Sequence, residues 1–245
     1  MKASEAAERA AHYVEEHGDA FARQRARALL GEVSAATVVD GLAPDTTRAG
    51  ALREALGVCD DLRSRSGTRV RAFAEAAHAL QAADGGWAPD LPLPDRLFET
   101  GMLAGQLAKT PFARPEGLAA AGDFLAAHWS PDLVRSGSWH AIAAYAHFFA
   151  NADHEAADAV LQWCGRELGR AFLTRHFDAV RTVRVLCCCD AHGLPGADLK
   201  RGEILIALIS EQAPDGSWSA WSGEGARDAV GSTLDGLVGL LRMGA

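Results

Sequence analysis

Hydrophobic residues recur along this chain with the spacing of helices almost throughout. In the segment 70–83, VRAFAEAAHALQAA, Phe73, Ala77 and Leu80 fall on one face, as expected where apolar positions three or four apart meet on a helix. Segments 117–129 and 155–168 repeat this one-sided pattern. The long alternating runs of Val, Ile and Thr that are typical of β-strands are nearly absent. The pattern predicts an all-α protein.

A second kind of helix is apolar around its whole circumference, which indicates burial on more than one side. Four such segments are 95–109, 138–152, 177–189 and 228–242. They alternate with the one-sided helices at intervals of roughly 40–50 residues, the range of a helical-hairpin repeat. If each hairpin supplies one outer and one inner helix, the inner helices face one another.

We therefore expect one domain, residues 1–245, built as an α/α toroid of about five to six helical hairpins. The first hairpin would pair the segment 20–34, as its outer helix, with the inner helix at 45–59. Residues 1–18 would add a further N-terminal helix outside the repeat.

A short motif occurs twice, as Asp84-Gly-Gly-Trp87 and as Asp215-Gly-Ser-Trp218, each time three residues after a Gln. The Asp-Gly pair favours a turn in which Gly adopts a positive φ. The Trp then packs back across the helix end, and the Gln amide can bond backbone groups there. This chemistry predicts that each motif fastens an outer helix to its neighbour.

The motif resembles the "QW" repeat of squalene–hopene cyclases and related class II terpene cyclases. The second copy carries more of that repeat, with Arg201 and Gly202 upstream and Leu208 before Gln212. Protein prenyltransferase β-subunits share the same α/α toroid. The resemblance implies a bacterial enzyme of secondary metabolism that acts on an isoprenoid or similarly apolar substrate in a central cavity, by acid-initiated cyclisation. The alternative is a non-catalytic toroid that binds a hydrophobic ligand or serves as a partner subunit.

The resemblance assigns the catalytic acid to Asp45. Class II cyclases protonate their substrate with an acid in an Asp-x-Asp-Asp motif at the head of an inner helix. This chain lacks that motif, and Asp45-Thr46-Thr47 is the segment closest to it. Asp45 equally fits an ordinary N-cap before an apolar run.

Acidic residues also stand at the starts of other inner helices, where a closed ring would bring them to one rim. These are Asp95, Glu99 and Asp228. Together with Asp45 they could bind a cation or a Mg²⁺-diphosphate. They are equally explained as caps and first-turn acids that interact with the helix dipole.

Two arginines interrupt the apolar segment 177–189, at positions 181 and 184. A buried arginine is costly unless it is paired. Arg181 and Arg184 therefore either meet carboxylates, lie partly exposed, or contact an anionic ligand such as diphosphate.

Histidines and aromatic residues of the segment 138–152 are further candidates. His140 and His147 lie on one helix face and are candidate catalytic bases, or else hydrogen-bonded core residues. Trp139 and Phe148 could line an apolar pocket and stabilise a carbocation by cation–π attraction, or could simply pack.

Cysteines supply a second alternative, a zinc-dependent toroid enzyme. Three of the five cysteines are consecutive, at 187–189, with Cys164 elsewhere and His192 nearby, and Cys and His are the usual zinc ligands. Cysteine is equally a normal small core residue. We expect no metal in the leading interpretation.

Composition and net charge limit which kinds of molecule this protein is expected to bind. Apolar residues make up 49%, enough for a sizeable core, and the net charge is −8, which argues against nucleic acid as a partner. No segment reaches the roughly 18 unbroken apolar residues of a membrane span, and the charged N-terminus lacks the apolar core of a signal peptide. We expect a cytoplasmic protein that binds an apolar small molecule, as a homodimer or with a partner subunit.

Overall fold

The computed structural model describes residues 2–244, which form thirteen α-helices and no β-strand. The predicted all-α class is confirmed. None of these helices is both long and apolar enough to cross a bilayer. The helices are α1 Ala3–His17, α2 Ala20–Leu29, α3 Ala35–Asp40, α4 Ala49–Asp61, α5 Thr68–Ala79, α6 Leu93–Ala108, α7 Pro115–Ala127, α8 Pro131–Arg135, α9 Trp139–Asn151, α10 Ala157–Leu173, α11 Ala179–Cys188, α12 Arg201–Glu211 and α13 Ala229–Met243.

Helices α6, α9, α11 and α13 are buried on more than one side, as the sequence predicts. They pack in chain order: α4 lies against α6, α6 against α9, α9 against α11, and α11 against α13. The α6–α9 contact is close because α6 carries glycines there. A β-carbon on Gly101 would lie 2.6 Å from the Ala144 carbonyl oxygen, so a larger residue would push the two helices apart.

The one-sided helices α5, α7, α10 and α12 each bury one face against these more deeply buried helices and α4, as the sequence predicts. The N-terminal part differs from the expectation. α1 packs on α13 and also touches α12, while α2 packs on both α1 and α13. The first hairpin is therefore α1 with α2, and the segment 20–34 is not the outer partner of α4.

Side chains cap the starts of several helices. Ser138 accepts a hydrogen bond from Ala141 N, Asp178 from Arg181 N and Asp228 from Gly231 N, each satisfying a backbone N–H that the helix leaves free. The capping interpretation of Asp228 is confirmed. Asp45 lies upstream of α4, whose N-cap is Arg48.

The first Asp-Gly-x-Trp motif joins α5, α6 and α7. Trp87 is fully buried; its Nε1 donates to Ala77 O of α5 at 2.7 Å, and its backbone N donates to Thr100 Oγ1 of α6 at 3.0 Å. Gln81 Nε2 donates to Gly117 O of α7 and to the turn carbonyl of Gly85, both at 2.8 Å. The predicted fastening of the helix before this motif to its neighbours is confirmed.

The second copy makes the same bonds on α12, α13 and α1. Trp218 Nε1 donates to Leu208 O of α12 at 3.0 Å, and its backbone N donates to Thr233 Oγ1 of α13 at 3.2 Å. Gln212 Nε2 donates to Ala6 O of α1 at 2.9 Å and to Gly216 O at 2.8 Å. The N-terminal helix thus occupies beside α12 the position that α7 occupies beside α5.

Candidate functional site

Six helices, α2, α4, α6, α9, α11 and α13, border one cavity of about 570 Å³, hereafter the main cavity. This volume lies within the roughly 300–1,000 Å³ of small-molecule sites. The loop before α4 completes the wall with Leu42, Ala43 and Pro44. Its lining residues are Phe21, Arg25, Leu42, Ala43, Pro44, Ala51, Arg53, Glu54, Ala55, Gly57, Val58, Asp61, Phe98, Met102, Gln106, Trp139, Arg184, Arg227, Gly231 and Asp235.

The lining changes from apolar to polar along the helices that supply it. On α6, the residues Phe98, Met102 and Gln106 follow one another at intervals of four, so they share one face. On α2, Phe21 is 40% exposed at the mouth, and Arg25 lies one turn further along. The cavity therefore has an aromatic upper wall, where Arg53 and Arg227 also border it, and a base of buried charges.

The base of the main cavity is a chain of ion pairs centred on Asp61, whose side chain is 1% exposed. Asp61 accepts hydrogen bonds from Arg184, at 2.5 Å, and from Arg25. Arg184 also approaches Asp235 at 3.7 Å, and Asp235 pairs with Arg227 at 3.2 Å. Burial by itself raises the pKa of Asp61, but the guanidinium groups of Arg184 and Arg25 outweigh it and hold this pKa below its usual value.

A second group of charges lies directly behind that base. Asp60 pairs with Lys109 at 2.8 Å and with Arg65 at 2.7 Å. Asp190, after α11, pairs with Arg65 and approaches Arg242 of α13 at 3.3 Å. The ends of α4, α6, α11 and α13 are thus tied together, which closes this end of the cavity.

One polar side chain at the base has no partner. Gln106 is 5% exposed, and its Oε1 is buried without a hydrogen bond among residues 2–244. Its amide faces Gly57 of α4, where a β-carbon would lie 3.1 Å from Nε2. Gly57 and Gln106 both border the main cavity, so the cavity reaches this unsatisfied amide, and a methyl group on Gly57 would crowd it.

A smaller cavity of about 310 Å³ adjoins the mouth and shares Arg53, Phe98, Trp139 and Arg227 with the main cavity. Arg53 is held there by Glu99, whose Oε2 accepts from its Nε at 2.9 Å. The guanidinium carbon of Arg53 lies 5.3 Å from the centre of the Phe98 ring. The mouth therefore combines an aromatic surface with a paired cation.

The loop between Trp218 and α13 covers this smaller cavity. Gly225 N donates to His140 Nε2 at 2.8 Å, and Glu224 accepts from His140 N at 3.0 Å and from Ser138 Oγ at 2.9 Å. Gly225 has φ +66° and lies against the Trp139 ring, where a β-carbon would be 2.6 Å away. The loop is fastened to the start of α9 by these contacts.

The structure places the predicted rim acids in three different settings. Asp95 and Glu99 border the smaller cavity, and Asp228 caps α13. Asp45 is exposed and accepts hydrogen bonds from Thr47 N and Oγ1, which lower its pKa. This shift favours the ionised carboxylate, which carries no proton to donate. Its neighbours Ala43 and Pro44 border the main cavity.

The two candidate histidines are separated by the fold. His140 borders the smaller cavity and stacks on Phe98, with ring centres 3.9 Å apart. Burial lowers its pKa, an effect that Glu224 and Asp95 partly oppose. His147 is fully buried against Gly105 of α6, and neither ring nitrogen has a hydrogen-bond partner within the described part of the chain. Burial lowers its pKa well below the usual value. Its position gives His147 a packing role between α6 and α9.

Of the remaining residues predicted to bind a ligand, some border a cavity and one does not. Arg184 and Trp139 border the main cavity. Arg181 borders a separate cavity of about 320 Å³ that shares Trp139, and its guanidinium carbon lies 5.2 Å from the centre of the Trp221 ring. Phe148 is fully buried and faces Gly122 of α7, on the side of α9 away from the main cavity lining.

Among residues 2–244, no three His, Cys, Asp or Glu side chains come together as metal ligands would. The five cysteines are free and buried, and burial raises the pKa of Cys187 to about 12.

Sequence reasoning missed most of the charged base. Arg25, Asp61, Asp235 and Gln106 were not among the candidates. Asp235 and Gln106 interrupt apolar segments just as Arg184 does, so the same signal points to them. Arg25 lies in a segment rich in arginine and alanine, where nothing local distinguishes it from its exposed neighbours.

Comparison of the chain with protein-family models, with curated protein sequences and with solved structures finds no match.

Proposed function

We propose that this chain is an α/α toroid, similar to one domain of the class II terpene cyclases, whose main cavity binds an isoprenoid or similarly apolar small molecule. The single observation that carries the proposal is the cavity itself. Six helices spread over the whole sequence, from α2 to α13, contribute side chains to one space. A ring of hairpins accounts for this because its inner helices all face a common centre.

The equivalence of the two tryptophan motifs supports closure of the ring. Gln81 bonds the first turn of α7, the outer helix that follows α5. Gln212 makes the same bond to Ala6 of α1. α1 therefore stands where the outer helix following α12 belongs, and the packing of α2 on α13 continues the inner row. Six hairpins result, with α3 beside α5 as the shortest outer helix.

The lining supports an apolar ligand with a polar end. Phe21, Phe98, Met102 and Trp139 form the upper wall, and burying such side chains against a ligand contributes about 25 cal/mol per Å² of apolar area. Aromatic rings also attract cations, as carbocation chemistry requires. The charged base gives the ligand one orientation in the cavity.

Acid-initiated cyclisation is a further proposal that depends on Asp45. Asp61 is paired with Arg184 and Arg25, which favours its ionised form. The resemblance to the class II cyclases assigns the acid to Asp45, next to Ala43 and Pro44 of the cavity wall. We expect Asp45→Asn to leave ligand binding unchanged and to abolish product formation from an isoprenoid substrate. If Asp45→Asn forms product at the unaltered rate, Asp45 is not the acid.

Binding is tested by titrating the purified protein with farnesol and geranylgeraniol in a calorimeter. Ala51 borders the main cavity, so Ala51→Trp would fill part of it. Ala119 is exposed on α7, so Ala119→Trp adds the same group away from the cavity. We expect both ligands to bind the wild type and Ala119→Trp, and to bind Ala51→Trp about tenfold or more weakly. Absence of binding to the wild type, or equal loss in both variants, would contradict the proposal.

A further inference from the structure

We propose that the base of the main cavity recognises a neutral hydroxyl group through Gln106, so that the natural ligand is an alcohol of isoprenoid type and not a diphosphate. This inference rests on the proposed function and specifies the polar end of the ligand. It is carried by an unpartnered side chain, an open space beside it, and the pairing of the surrounding charges.

The first observation is the state of the Gln106 amide. Its Oε1 is buried without a partner, in a side chain that is 95% buried and borders the cavity. A buried acceptor without a hydrogen bond is unfavourable, and such groups in folded proteins call for a partner. A hydroxyl group both donates and accepts, so one hydroxyl can satisfy the Gln106 carbonyl and accept from a neighbouring N–H.

The second observation is the space that such a group would occupy. Gly57 lies on α4 opposite Gln106, where a β-carbon would be 3.1 Å from Gln106 Nε2 and 4.0 Å from Arg184 Nη2. The amide and the guanidinium group thus converge on Gly57, and all three residues border the main cavity, so cavity space reaches this position. Phe98 and Met102 lie on the same face of α6 as Gln106, so an apolar chain along those residues leads to it.

The third observation decides between a neutral and an anionic group. Each arginine that borders the main cavity is already paired: Arg25 and Arg184 with Asp61, Arg227 with Asp235, and Arg53 with Glu99. A diphosphate would have to displace these carboxylates or lie beside them, and like charges repel strongly where water is excluded. A neutral hydroxyl group leaves every pair in place.

The test compares three ligands with one carbon skeleton: farnesol, the hydrocarbon farnesene and farnesyl diphosphate, each titrated into the full chain by calorimetry. We expect farnesol to bind roughly three- to tenfold more tightly than farnesene, the value of one hydrogen bond, and farnesyl diphosphate to bind most weakly. Gln106→Leu should remove the preference for farnesol over farnesene. Met102→Leu, which alters the wall without removing a polar group, should change both affinities alike.

A second pair of variants tests the opening itself. Gly57→Ala places a methyl group against the amide and should reduce the preference for farnesol, while its helix is retained because Ala favours helices. Gly202→Ala is the control, because Gly202 lies on α12 with no atom near its β-carbon position. It should leave the preference for farnesol over farnesene unchanged.

The outcomes separate the two proposals. If farnesol and farnesene bind the wild type equally, if farnesyl diphosphate binds most tightly, or if Gln106→Leu keeps the preference, the hydroxyl site is wrong while the cavity remains a binding site. If none of the three ligands binds, both the hydroxyl site and the proposed function are wrong.

Discussion

Arg184 of α11 donates a hydrogen bond to Asp61 of α4 at 2.5 Å, across 123 positions of the sequence. This contact joins an early and a late helix at the base of the main cavity. Each charge stabilises the other, because burying a charge without a partner greatly lowers the stability of the folded protein. Asp61 raises the pKa of Arg184 well above its usual value against the opposing effect of burial.

Removing the carboxylate charge should therefore destabilise the protein strongly. Asp61→Asn leaves Arg184 and Arg25 without their partner, and we expect the free energy of unfolding to fall by about 3–5 kcal/mol. Urea denaturation measures this change. Asp132→Asn is the control, because Asp132 pairs with Arg135 on the surface, where its side chain is 83% exposed and an ion pair contributes little. Equal losses in the two variants would contradict a structural role for the buried pair.

Low pH should destabilise the folded protein through the same buried carboxylates. The pKa values of Asp60 and Asp61 are lowered in the folded protein. Burial raises both, but Lys109 and Arg242 at Asp60, and Arg184 and Arg25 at Asp61, together outweigh it. Groups with a lowered folded pKa add stability above the unfolded value of about 3.9. This stability is lost as the pH falls through the folded pKa.

We therefore expect the free energy of unfolding of the wild type to fall steeply below about pH 4. Urea denaturation at a series of pH values measures the slope. Asp61→Asn, which lacks one of the two carboxylates, should show a shallower dependence in this range. Parallel curves for the two proteins would show that Asp61 does not contribute.

The position of α1 can be tested through the tryptophan motifs. Gln212→Ala removes the bond to Ala6, and we expect faster hydrogen exchange of the amides in α1. Gln81→Ala removes the equivalent bond to Gly117 and should have its effect in α7. Each variant serves as the control for the other, since the affected helix should change with the motif. Closure of the ring through α1 is contradicted if Gln212→Ala leaves exchange in α1 unchanged.

The loop over the smaller cavity should depend on the protonation of His140. Gly225 N donates to His140 Nε2, which requires a neutral ring nitrogen, and burial lowers the pKa of His140, opposed in part by Glu224 and Asp95. A lowered pKa adds stability above the unfolded value of about 6.5 and loses it as the pH falls. We expect the amide of Gly225 to exchange progressively faster, after correction for the intrinsic rate, from pH 7 to pH 5.

The histidine variant provides the control. His140→Gln has no titratable group in this range, so its corrected exchange rate at Gly225 should be nearly independent of pH. A wild-type loop that exchanges at the same corrected rate at pH 7 and pH 5 would contradict the role of His140. The charges of Glu99 and Arg53 also act on His140, the first raising its pKa and the second lowering it.

Local chemistry predicts much of this fold. The period of the apolar residues identified α5, α7 and α10 as one-sided helices and α6, α9, α11 and α13 as buried ones. The turn and amide chemistry of Gln81 to Trp87 predicted the fastening of α5 to its neighbour. These predictions hold because they depend on residues within a few positions of one another, whose geometry the helix itself sets.

The site was harder to predict, because its members come from distant parts of the chain. Arg184 was suspected from its apolar surroundings, but its partner Asp61 stands at the end of α4 in an ordinary charged segment. His140 and His147 lie seven residues apart on one helix, yet His140 borders the smaller cavity and His147 is packed between α6 and α9. A helical face fixes the direction of a side chain relative to its own helix, and only the neighbouring helices determine what it meets.

The sequence by itself determined the class of the protein, the alternation of its helices and the two tryptophan fastenings, because each follows from hydrophobic period and turn chemistry over short distances. The tertiary structure alone decided that α1 packs beside α12, that Asp61 pairs with Arg25 and Arg184, and that Gln106 faces Gly57 at the base of the main cavity. Those relationships depend on packing between helices far apart in the chain, which no local pattern of residues specifies.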